Sequence, residues 1–280
     1  MATWSIQKGN NFHAQMSWQN MEVTETSALI EMYAKCGSML EAQQVFDIRQ
    51  PRSLIEWTSL ISGYARHGHR EEALSCFHQM QHESLCPNVV TFVCMLKACG
   101  SVGAISKGKQ IHDEVVRRGL LQNDIMLATA LIDMYCKCGA LEEAERIFSK
   151  IPNRNVVSWN SIITGYTQEG WGFCALKKFE DMEAHDVKAD SVTFLAVLRA
   201  CGMIRAAAEG RWIHHQIIFS GCNTDELVGN ALIDMYVKCA SLEEALCVFD
   251  KLPKRDVASW NIIIGGYTGR ETGLIALKLF

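Results

Sequence analysis

The ten residues Ala28–Gly37 return twice, with few changes, later in the chain. The segment recurs as Ala130–Gly139 and as Ala231–Ala240, at offsets of 102 and 101 residues. Self-similarity at a fixed spacing is typical of a repeat protein, in which each repeat buries its apolar face on its neighbours and not in one central core. We therefore expect the functional residues to lie along a stacked surface and not in a single pocket.

Bulk composition narrows the possible classes of protein. No run of 18 apolar residues occurs, which argues against a membrane-spanning helix, so we expect no membrane partner. The net charge of -4 argues against a protein that holds nucleic acid mainly through counterion release, although it leaves room for a local basic stripe. Residues 1–8 have neither the apolar core of a signal peptide nor the composition of a transit peptide.

The 12 cysteines follow the repeat. Cys36, Cys138 and Cys239 share one slot, and Cys99 and Cys201 share another. No CxxC pair occurs, so the spacing favours neither a zinc site nor a disulfide framework, and we expect no metal and no cofactor. We predict that most of these cysteines are small buried residues where helices pack.

Each block of 101 or 102 residues contains three related repeats of 35, 35 or 36, and 31 residues. They are residues 23–53, 54–88, 89–124, 125–155, 156–190, 191–225 and 226–256, with partial repeats at 1–22 and 257–280. Because the array starts and stops inside a repeat, we expect a fragment or a truncated product.

Every repeat has the pattern of two helices. In repeat 156–190 the first helix is predicted from about Trp159 to Gln168, and Gly170 then breaks the pattern. In the second helix an Ala recurs four residues before a Phe, as close contact between paired helices requires. These pairs are Ala42/Phe46, Ala73/Phe77, Ala144/Phe148, Ala245/Phe249 and Ala276/Phe280. The sequence thus predicts an all-α chain.

Two repeats depart from that pattern. Lys107–His112 and Glu209–His214 place Gly where the other repeats have Ala, and His where they have Phe. Residues 9–15, with His13, look like the remnant of a third such segment. A recurring His could be a metal ligand or a base, but the repeats that carry it are separated by others. We therefore favour a packing role.

Three motifs together point to a known family. Residues 156–163 read Val-Val-Ser-Trp-Asn-Ser-Ile-Ile, residues 130–139 read Ala-Leu-Ile-Asp-Met-Tyr-Cys-Lys-Cys-Gly, and residues 107–112 read Lys-Gly-Lys-Gln-Ile-His. With the repeat lengths, they closely resemble the pentatricopeptide repeat (PPR) family, and more narrowly its plant subfamily of alternating P-, L- and S-type motifs. The likeness covers residues 23–280 and, more weakly, 9–22.

This resemblance assigns a type to each repeat. The P-type repeats are 54–88, 156–190 and the truncated 257–280; the L-type are 89–124, 191–225 and the partial 1–22; the S-type are 23–53, 125–155 and 226–256. It also implies a right-handed α-solenoid of helix-turn-helix repeats that binds single-stranded RNA, one base per repeat.

The resemblance further implies that the fifth and last residues of each repeat select the base. The pairs Thr58/Asn88 and Thr129/Asn155 are those that the family associates with adenine, and Asn160/Asp190 and Asn230/Asp256 those associated with uracil, with some tolerance of cytosine. Asn261 is the fifth residue of the last repeat. The weak or atypical pairs are Val93/Asp124, Leu195/Asp225 and Ser27/Ser53. The expected footprint, read 5′ to 3′, is N-A-N-A-U-N-U.

A simpler explanation is open for these polar residues. Thr58, Thr129, Asn160 and Asn230 could cap first helices, and the Asn and Asp residues at the repeat ends could cap the next ones. Capping alone, however, does not explain why Thr accompanies Asn and why Asn accompanies Asp.

Two more series fit an RNA groove. The second residue of each repeat is apolar, and the family uses it to sandwich bases; these residues are Ile55, Val90, Met126, Val157, Val192, Leu227 and Ala258. A basic residue recurs eight positions after the fifth slot, about 80° around an ideal helix, where it could contact phosphate. This series is Lys35, Arg66, Lys137 and Lys238, and a solvated charge is the plainer interpretation.

We expect no catalysis. Relatives in this subfamily often end in E-type extensions and a DYW domain, a zinc deaminase with HxE and CxxC elements. This chain has no CxxC, and its only adjacent His-Glu pair, His82 and Glu83, is predicted in a loop.

The resemblance therefore implies an RNA specificity factor in a mitochondrion or chloroplast. We favour C-to-U editing, with the deaminase supplied by a lost C-terminus or with a deaminase or an editing cofactor protein acting in trans. Transcript stabilisation and splicing are alternatives within RNA metabolism. A helical scaffold that binds proteins, like the tetratricopeptide repeats, is a different class, although that family keeps 34-residue repeats and another motif. A non-functional fragment is the third possibility.

Overall fold

A computed structural model describes residues 23–48, 50–122, 124–222 and 225–268. Over these ranges the regular elements are fifteen α-helices and one short 3₁₀ helix, Leu120–Gln122, with no strand. The helices are α1 (Val23–Cys36), α2 (Met39–Asp47), α3 (Leu54–Arg66), α4 (Arg70–His82), α5 (Val89–Val102), α6 (Ile105–Arg117), α7 (Ile125–Lys137), α8 (Leu141–Lys150), α9 (Val156–Gln168), α10 (Gly172–Ala184), α11 (Ser191–Ile204), α12 (Ala207–Ser220), α13 (Glu226–Lys238), α14 (Leu242–Lys251) and α15 (Val257–Thr268). None of the described helices is both long and apolar enough to cross a bilayer.

The last residue of one repeat caps the first helix of the next. Asn88 Oδ1 accepts a hydrogen bond from the backbone N–H of Thr91 at 2.9 Å, for example. Equivalent side-chain caps are made by Ser53, Asp124, Asn155, Asp190, Asp225 and Asp256. Each cap satisfies an N–H that has no partner inside the helix and contributes about 1 kcal/mol. Helix α9 accordingly begins at Val156, directly after its cap and three residues before the predicted start at Trp159.

The helices pack in pairs. Where they lie in the same compact part of the chain, first helices of neighbouring repeats contact each other, and so do the two helices of one repeat. The chain divides into two compact parts between Cys138 and Gly139. In the first part α1 packs on α3, α3 on α5 and α5 on α7; in the second part α9 packs on α11, α11 on α13 and α13 on α15. This stacking confirms the predicted α-solenoid of helix pairs.

The Ala and Phe residues that recur in the second helices lie in the core, as close helix packing predicts. The buried pairs are Ala42/Phe46, Ala73/Phe77, Ala144/Phe148 and Ala245/Phe249. Phe46 packs edge-on against the fully buried Trp57, with ring centroids 4.5 Å apart, and Phe148 does the same with Trp159 at 4.7 Å. The predicted pair Ala276/Phe280 lies outside the described residues.

The two repeats with Gly and His in the second helix pack differently. A Cβ on Gly108 would overlap the Met134 thioether, and one on Gly210 would overlap that of Met235, so a larger residue at either place would require the methionine side chain to shift. The histidines that replace Phe bond to the next repeat: His112 Nδ1 lies 2.9 Å from the Tyr135 hydroxyl, and His214 Nδ1 lies 3.0 Å from that of Tyr236. The favoured packing role of these histidines is therefore confirmed; His13 lies outside the described residues.

Burial of the cysteines differs from the prediction. All 12 are free thiols, but only Cys76, Cys99, Cys136 and Cys201 are buried; six are half-buried and two are exposed. The expectation that most are buried is therefore wrong. The slot shared by Cys138 and Cys239 is the C-cap of a first helix, where the chain leaves the packed layer.

Left-handed backbone follows this slot. Gly37 and Gly139 take φ values of 83° and 72°, and Ala240 takes 63° at the corresponding position. Since a Cβ is disfavoured there, Ala240 carries backbone strain that the two glycines avoid.

Candidate nucleic-acid interface

The fifth and last residues of repeat 156–190 are in direct contact. Asn160 lies one turn into α9, and Asp190 caps α11, which packs against α9. Asn160 Nδ2 donates a hydrogen bond to Asp190 Oδ1 at 2.9 Å. Only 8% of Asn160 is exposed, so a ligand can reach no more than the edge of its amide.

Thr193, which sequence reasoning missed, completes this cluster. Its hydroxyl lies 2.6 Å from Asn160 Oδ1 and 3.0 Å from Asp190 Oδ1. Burial raises the pKa of Asp190, but the hydrogen bonds from Thr193 and Asn160 outweigh this effect and hold the pKa below its ordinary value. The carboxylate is therefore ionised at neutral pH and acts only as a hydrogen-bond acceptor.

Repeat 54–88 joins its two residues through a bridge. Thr58 Oγ1 lies 2.9 Å from Thr91 Oγ1, which in turn lies 2.9 Å from Asn88 Oδ1. Thr91 occupies the same place in α5 as Thr193 does in α11. The spacing of three residues between Asn88 and Thr91, which is typical of a helix cap, is the signal that could have revealed it.

Repeat 226–256 has a looser pair. Asn230 Nδ2 lies 3.3 and 3.4 Å from the two carboxylate oxygens of Asp256. Ser259 stands where the other two repeats have Thr. Its hydroxyl donates to the backbone carbonyl of Asp256 at 2.8 Å. The backbone N–H of Ser259 is the main cause that lowers the pKa of Asp256, and the side-chain hydrogen bond of Ser259 with the Asp256 carboxyl also lowers the pKa of that group.

Three other fifth residues form no such pair among the described residues; they are Ser27, Val93 and Leu195. Thr129 Oγ1 donates to the Ile125 carbonyl of its own helix at 2.7 Å. Val93 is buried and Leu195 is half-buried. The Ser27 hydroxyl has no hydrogen-bond partner in the described structure, while its neighbour Thr26 donates to Glu56 at 2.8 Å. Asn261 is exposed on α15.

These contacts show which of the fifth and last residues of the repeats cap helices and which form pairs. The fifth residues do not cap, because Thr58, Asn160 and their equivalents lie inside the first helices. The last residues do cap, and three of them also contact the preceding fifth residue. Those three are Asn88, through Thr91, and Asp190 and Asp256 directly. One side chain thus serves both purposes.

The apolar second residues share one feature, exposure. Ile55 is 62% exposed and Leu227 is 65% exposed, for example. The others are Val90, Met126, Val157, Val192 and Ala258, all exposed as well. An apolar side chain is thus available to a ligand at the start of each of these seven first helices.

The basic series divides into paired and unpaired members. Three lysines each bond an acidic residue one turn earlier: Lys35 to Glu31 at 2.6 Å, Lys137 to Asp133 at 2.7 Å and Lys238 to Asp234 at 2.6 Å. Arg66 is exposed and forms no ion pair with any described residue. Arg66 therefore offers the least compensated charge of the four.

A cleft brings three of the predicted series together. Its volume is about 150 Å³, and its lining includes Thr58, Val90, Lys35 and Arg66. A fifth residue, an apolar second residue from the following repeat and two basic residues therefore share one depression. This combination can contact a base edge, a base face and a phosphate.

The described residues contain no group of three or more His, Cys, Asp or Glu side chains placed to hold a metal. HxE spacing does occur, at His69–Glu71 and His112–Glu114. His112 is engaged by Tyr135, and Glu114 pairs with Arg117 and Arg118.

The described residues thus form a solenoid of helix pairs with polar pairs between successive first helices. Family models match large parts of the chain: the PPR repeat family model over residues 52–101 and 154–203, and the PPR repeat model over 27–48, 90–120, 128–156 and 230–257. Together these matches cover more than half of the chain. The chain belongs to the pentatricopeptide repeat family.

Curated relatives support this membership. Pentatricopeptide repeat-containing protein At1g11290, chloroplastic, of Arabidopsis thaliana is 35% identical over 276 residues, which are 99% of this chain and 34% of the relative. The mitochondrial protein At2g03380 of the same plant is 34% identical over 279 residues, or 98% of this chain and 40% of the relative. The chain therefore spans about a third to two fifths of these relatives.

Solved structures show the same fold. The crystal structure of the pentatricopeptide repeat protein PPR10 from maize aligns with a TM-score of 0.80 at 18% identity, over 100% of this chain and 41% of that one. PPR10 in complex with an 18-nt psaJ RNA element aligns with a TM-score of 0.77 at 19% identity, over 100% and 42%.

Proposed function

We propose that this chain binds single-stranded RNA in a sequence-specific manner, one base per repeat, as part of organelle RNA metabolism. Membership of the PPR family and the RNA-bound maize relative support the proposal. The observation that carries it is the paired contact between fifth and last residues, seen in repeats 54–88, 156–190 and 226–256. Such contacts hold two polar groups side by side, where one base edge can meet both.

The base assignments follow the P-, L- and S-type arrangement, which is also part of the proposal. Thr58/Asn88 and Thr129/Asn155 read adenine, and Asn160/Asp190 and Asn230/Asp256 read uracil. The exposed apolar second residues sandwich the bases. Lys35, Arg66, Lys137 and Lys238 contact phosphate. Repeats with Val93 or Leu195 at the fifth position act as spacers, because an aliphatic group cannot hydrogen-bond to a base.

Within organelle RNA metabolism we favour a specificity factor for C-to-U editing, with the deaminase supplied in trans. The chain would then act by binding and not by catalysis. Transcript stabilisation and splicing use the same binding step. Names of relatives include both chloroplastic and mitochondrial proteins, so we propose one of these two organelles as the location.

Selection from a random pool of single-stranded RNA tests the proposal. The whole chain should enrich A-N-A-U-N-U, and the double variant Asn230→Thr/Asp256→Asn should enrich A in place of the last U. Ser149→Ala is the control, because the exposed Ser149 hydroxyl donates to the Glu145 carbonyl within its own second helix. If no RNA is retained, or if the double variant keeps the wild-type preference, a protein scaffold or an inert fragment is the better explanation.

A further inference from the structure

The bridge in repeat 54–88 fixes the direction of its hydrogen bonds. Asn88 Oδ1 accepts the backbone N–H of Thr91 at 2.9 Å, so the oxygen and not the nitrogen of this amide faces α5. The same oxygen lies 2.9 Å from Thr91 Oγ1. Because a carbonyl oxygen can only accept, the single hydroxyl proton of Thr91 must point to Asn88.

That direction determines what Thr58 can do. The Thr91 hydroxyl already donates its proton to Asn88. In the 2.9 Å contact between the two hydroxyls, Thr58 is therefore the donor and Thr91 the acceptor. Thr58 then keeps only oxygen lone pairs for a ligand. Asn88 Oδ1 already receives two hydrogen bonds, so the group that Asn88 still offers is its Nδ2 donor. The pair therefore presents one acceptor beside one donor.

We infer that Thr91 is a specificity-determining residue, which sets the acceptor-donor polarity of the Thr58/Asn88 pair and thereby makes it choose adenine over guanine. Adenine presents an amino donor beside a ring-nitrogen acceptor, which complements this order. Guanine presents a carbonyl acceptor beside an N–H donor. Its acceptor would therefore face the Thr58 acceptor, and its donor would face the Asn88 donor. Thr91 itself is fully buried and needs no contact with RNA. This inference rests on the proposed function.

Thr193 occupies the same place in repeat 156–190, within hydrogen-bond distance of both Asn160 and Asp190. The third residue of the following repeat therefore acts on the reading pair at both of these junctions. At the junction after repeat 226–256, Ser259 stands at this place, and its hydroxyl donates to the backbone carbonyl of Asp256 at 2.8 Å.

The test measures binding of the whole chain to labelled RNAs that differ only at the base opposite repeat 54–88, with A, G, C or U at that position. Thr91→Val removes the hydroxyl at nearly constant volume. Thr58 is then free to donate as well as accept, and we expect the A:G affinity ratio to fall roughly tenfold. Thr91→Ser should restore the ratio.

Ser158→Ala is the matched control, since Ser158 is equally buried at the third position of α9 and its hydroxyl bonds the backbone carbonyl of Asn155. It should leave the ratio unchanged. If Thr91→Val melts below the assay temperature, Thr91→Cys, whose thiol is a weaker donor, should lower the ratio by a smaller factor. A wild-type preference for A that Thr91→Val and Thr91→Cys both preserve would overturn the inference alone. A wild-type chain without base preference would overturn the proposed function and the inference with it.

Discussion

Repeats 54–88 and 156–190 share one scaffold but differ in the groups that it displays. In both, the last residue caps the next first helix and a buried Thr at the third position bridges the pair. One displays a hydroxyl and an amide, Thr58 and Asn88, joined through Thr91. The other displays an amide and a carboxylate, Asn160 and Asp190, in direct contact. The difference teaches that the scaffold fixes where the groups stand, while two side chains decide their chemistry.

The same two repeats also differ in charge. Arg66 is the last residue of α3, and Gln168 stands at the corresponding end of α9. The last residues of the two repeats differ in charge as well: the Asp190 carboxylate is ionised, whereas the Asn88 amide is neutral. Any property that depends on phosphate contact or on pH should therefore separate the two repeats.

Exchanging the pairs should produce the largest effect. Thr58→Asn with Asn88→Asp gives the first repeat the pair of the second, and Thr91 is already in place to bridge it. We expect the preference at that base to change from A to U, with an A:U ratio altered roughly a hundredfold, or about 2.8 kcal/mol. Competition binding with two RNAs that differ at this base measures the ratio. An unchanged ratio would show that the pair does not read the base.

Removing the last residue should affect the stability of the two repeats unequally. Asn88→Ala loses a helix cap and should cost about 1 kcal/mol. Asp190→Ala loses a cap and also leaves the Asn160 amide without an acceptor, so we expect about 2 kcal/mol. Urea unfolding followed by circular dichroism gives both values. Asp190→Ser, which keeps the cap, should recover part of the loss; equal costs for the two alanine variants would contradict the direct pair.

Exchanging the residues at positions 66 and 168 should change the salt dependence of RNA binding. Arg66→Gln should weaken affinity about threefold and reduce the slope of log K against log salt by about 0.7. Gln168→Arg should do the reverse. Lys35→Gln serves as the comparison: Glu31 already compensates Lys35, so its effect should be smaller. A larger loss for Lys35→Gln than for Arg66→Gln would reverse the assignment of the phosphate contact.

The smallest expected difference between the two repeats is in the loss of stability at acid pH. The pKa of Asp190 is lower in the folded chain than its ordinary value of about 3.9, so its contribution to stability is complete above that value and is lost as pH falls through the lower, folded one. Asp190→Asn should remove this part of the acid dependence, and Asn88→Asp should add a similar part to the other repeat. Thermal melting between neutral and acid pH follows both. Identical pH profiles for Asp190→Asn and the wild type would refute the shift.

Much of the fold could be predicted from the sequence because local signals repeat. The Ala and Phe spacing predicts the buried face of each second helix, and that face is buried wherever it is described. The prediction that most cysteines are buried was wrong for a local reason. Periodicity does not show that Cys138 and Cys239 lie at helix ends, where the chain leaves the packed layer. The buried bridging residues Thr91 and Thr193 were missed because a Thr three residues after a cap usually serves only the cap.

The sequence by itself determined the all-α class, the period and the family, because these depend on patterns that recur along the chain. Only the tertiary structure decided that last residues pair as well as cap, and that Thr91 joins Thr58 to Asn88. Those properties depend on distances between successive first helices. Such distances arise when the helices pack, and no spacing within a single repeat contains them.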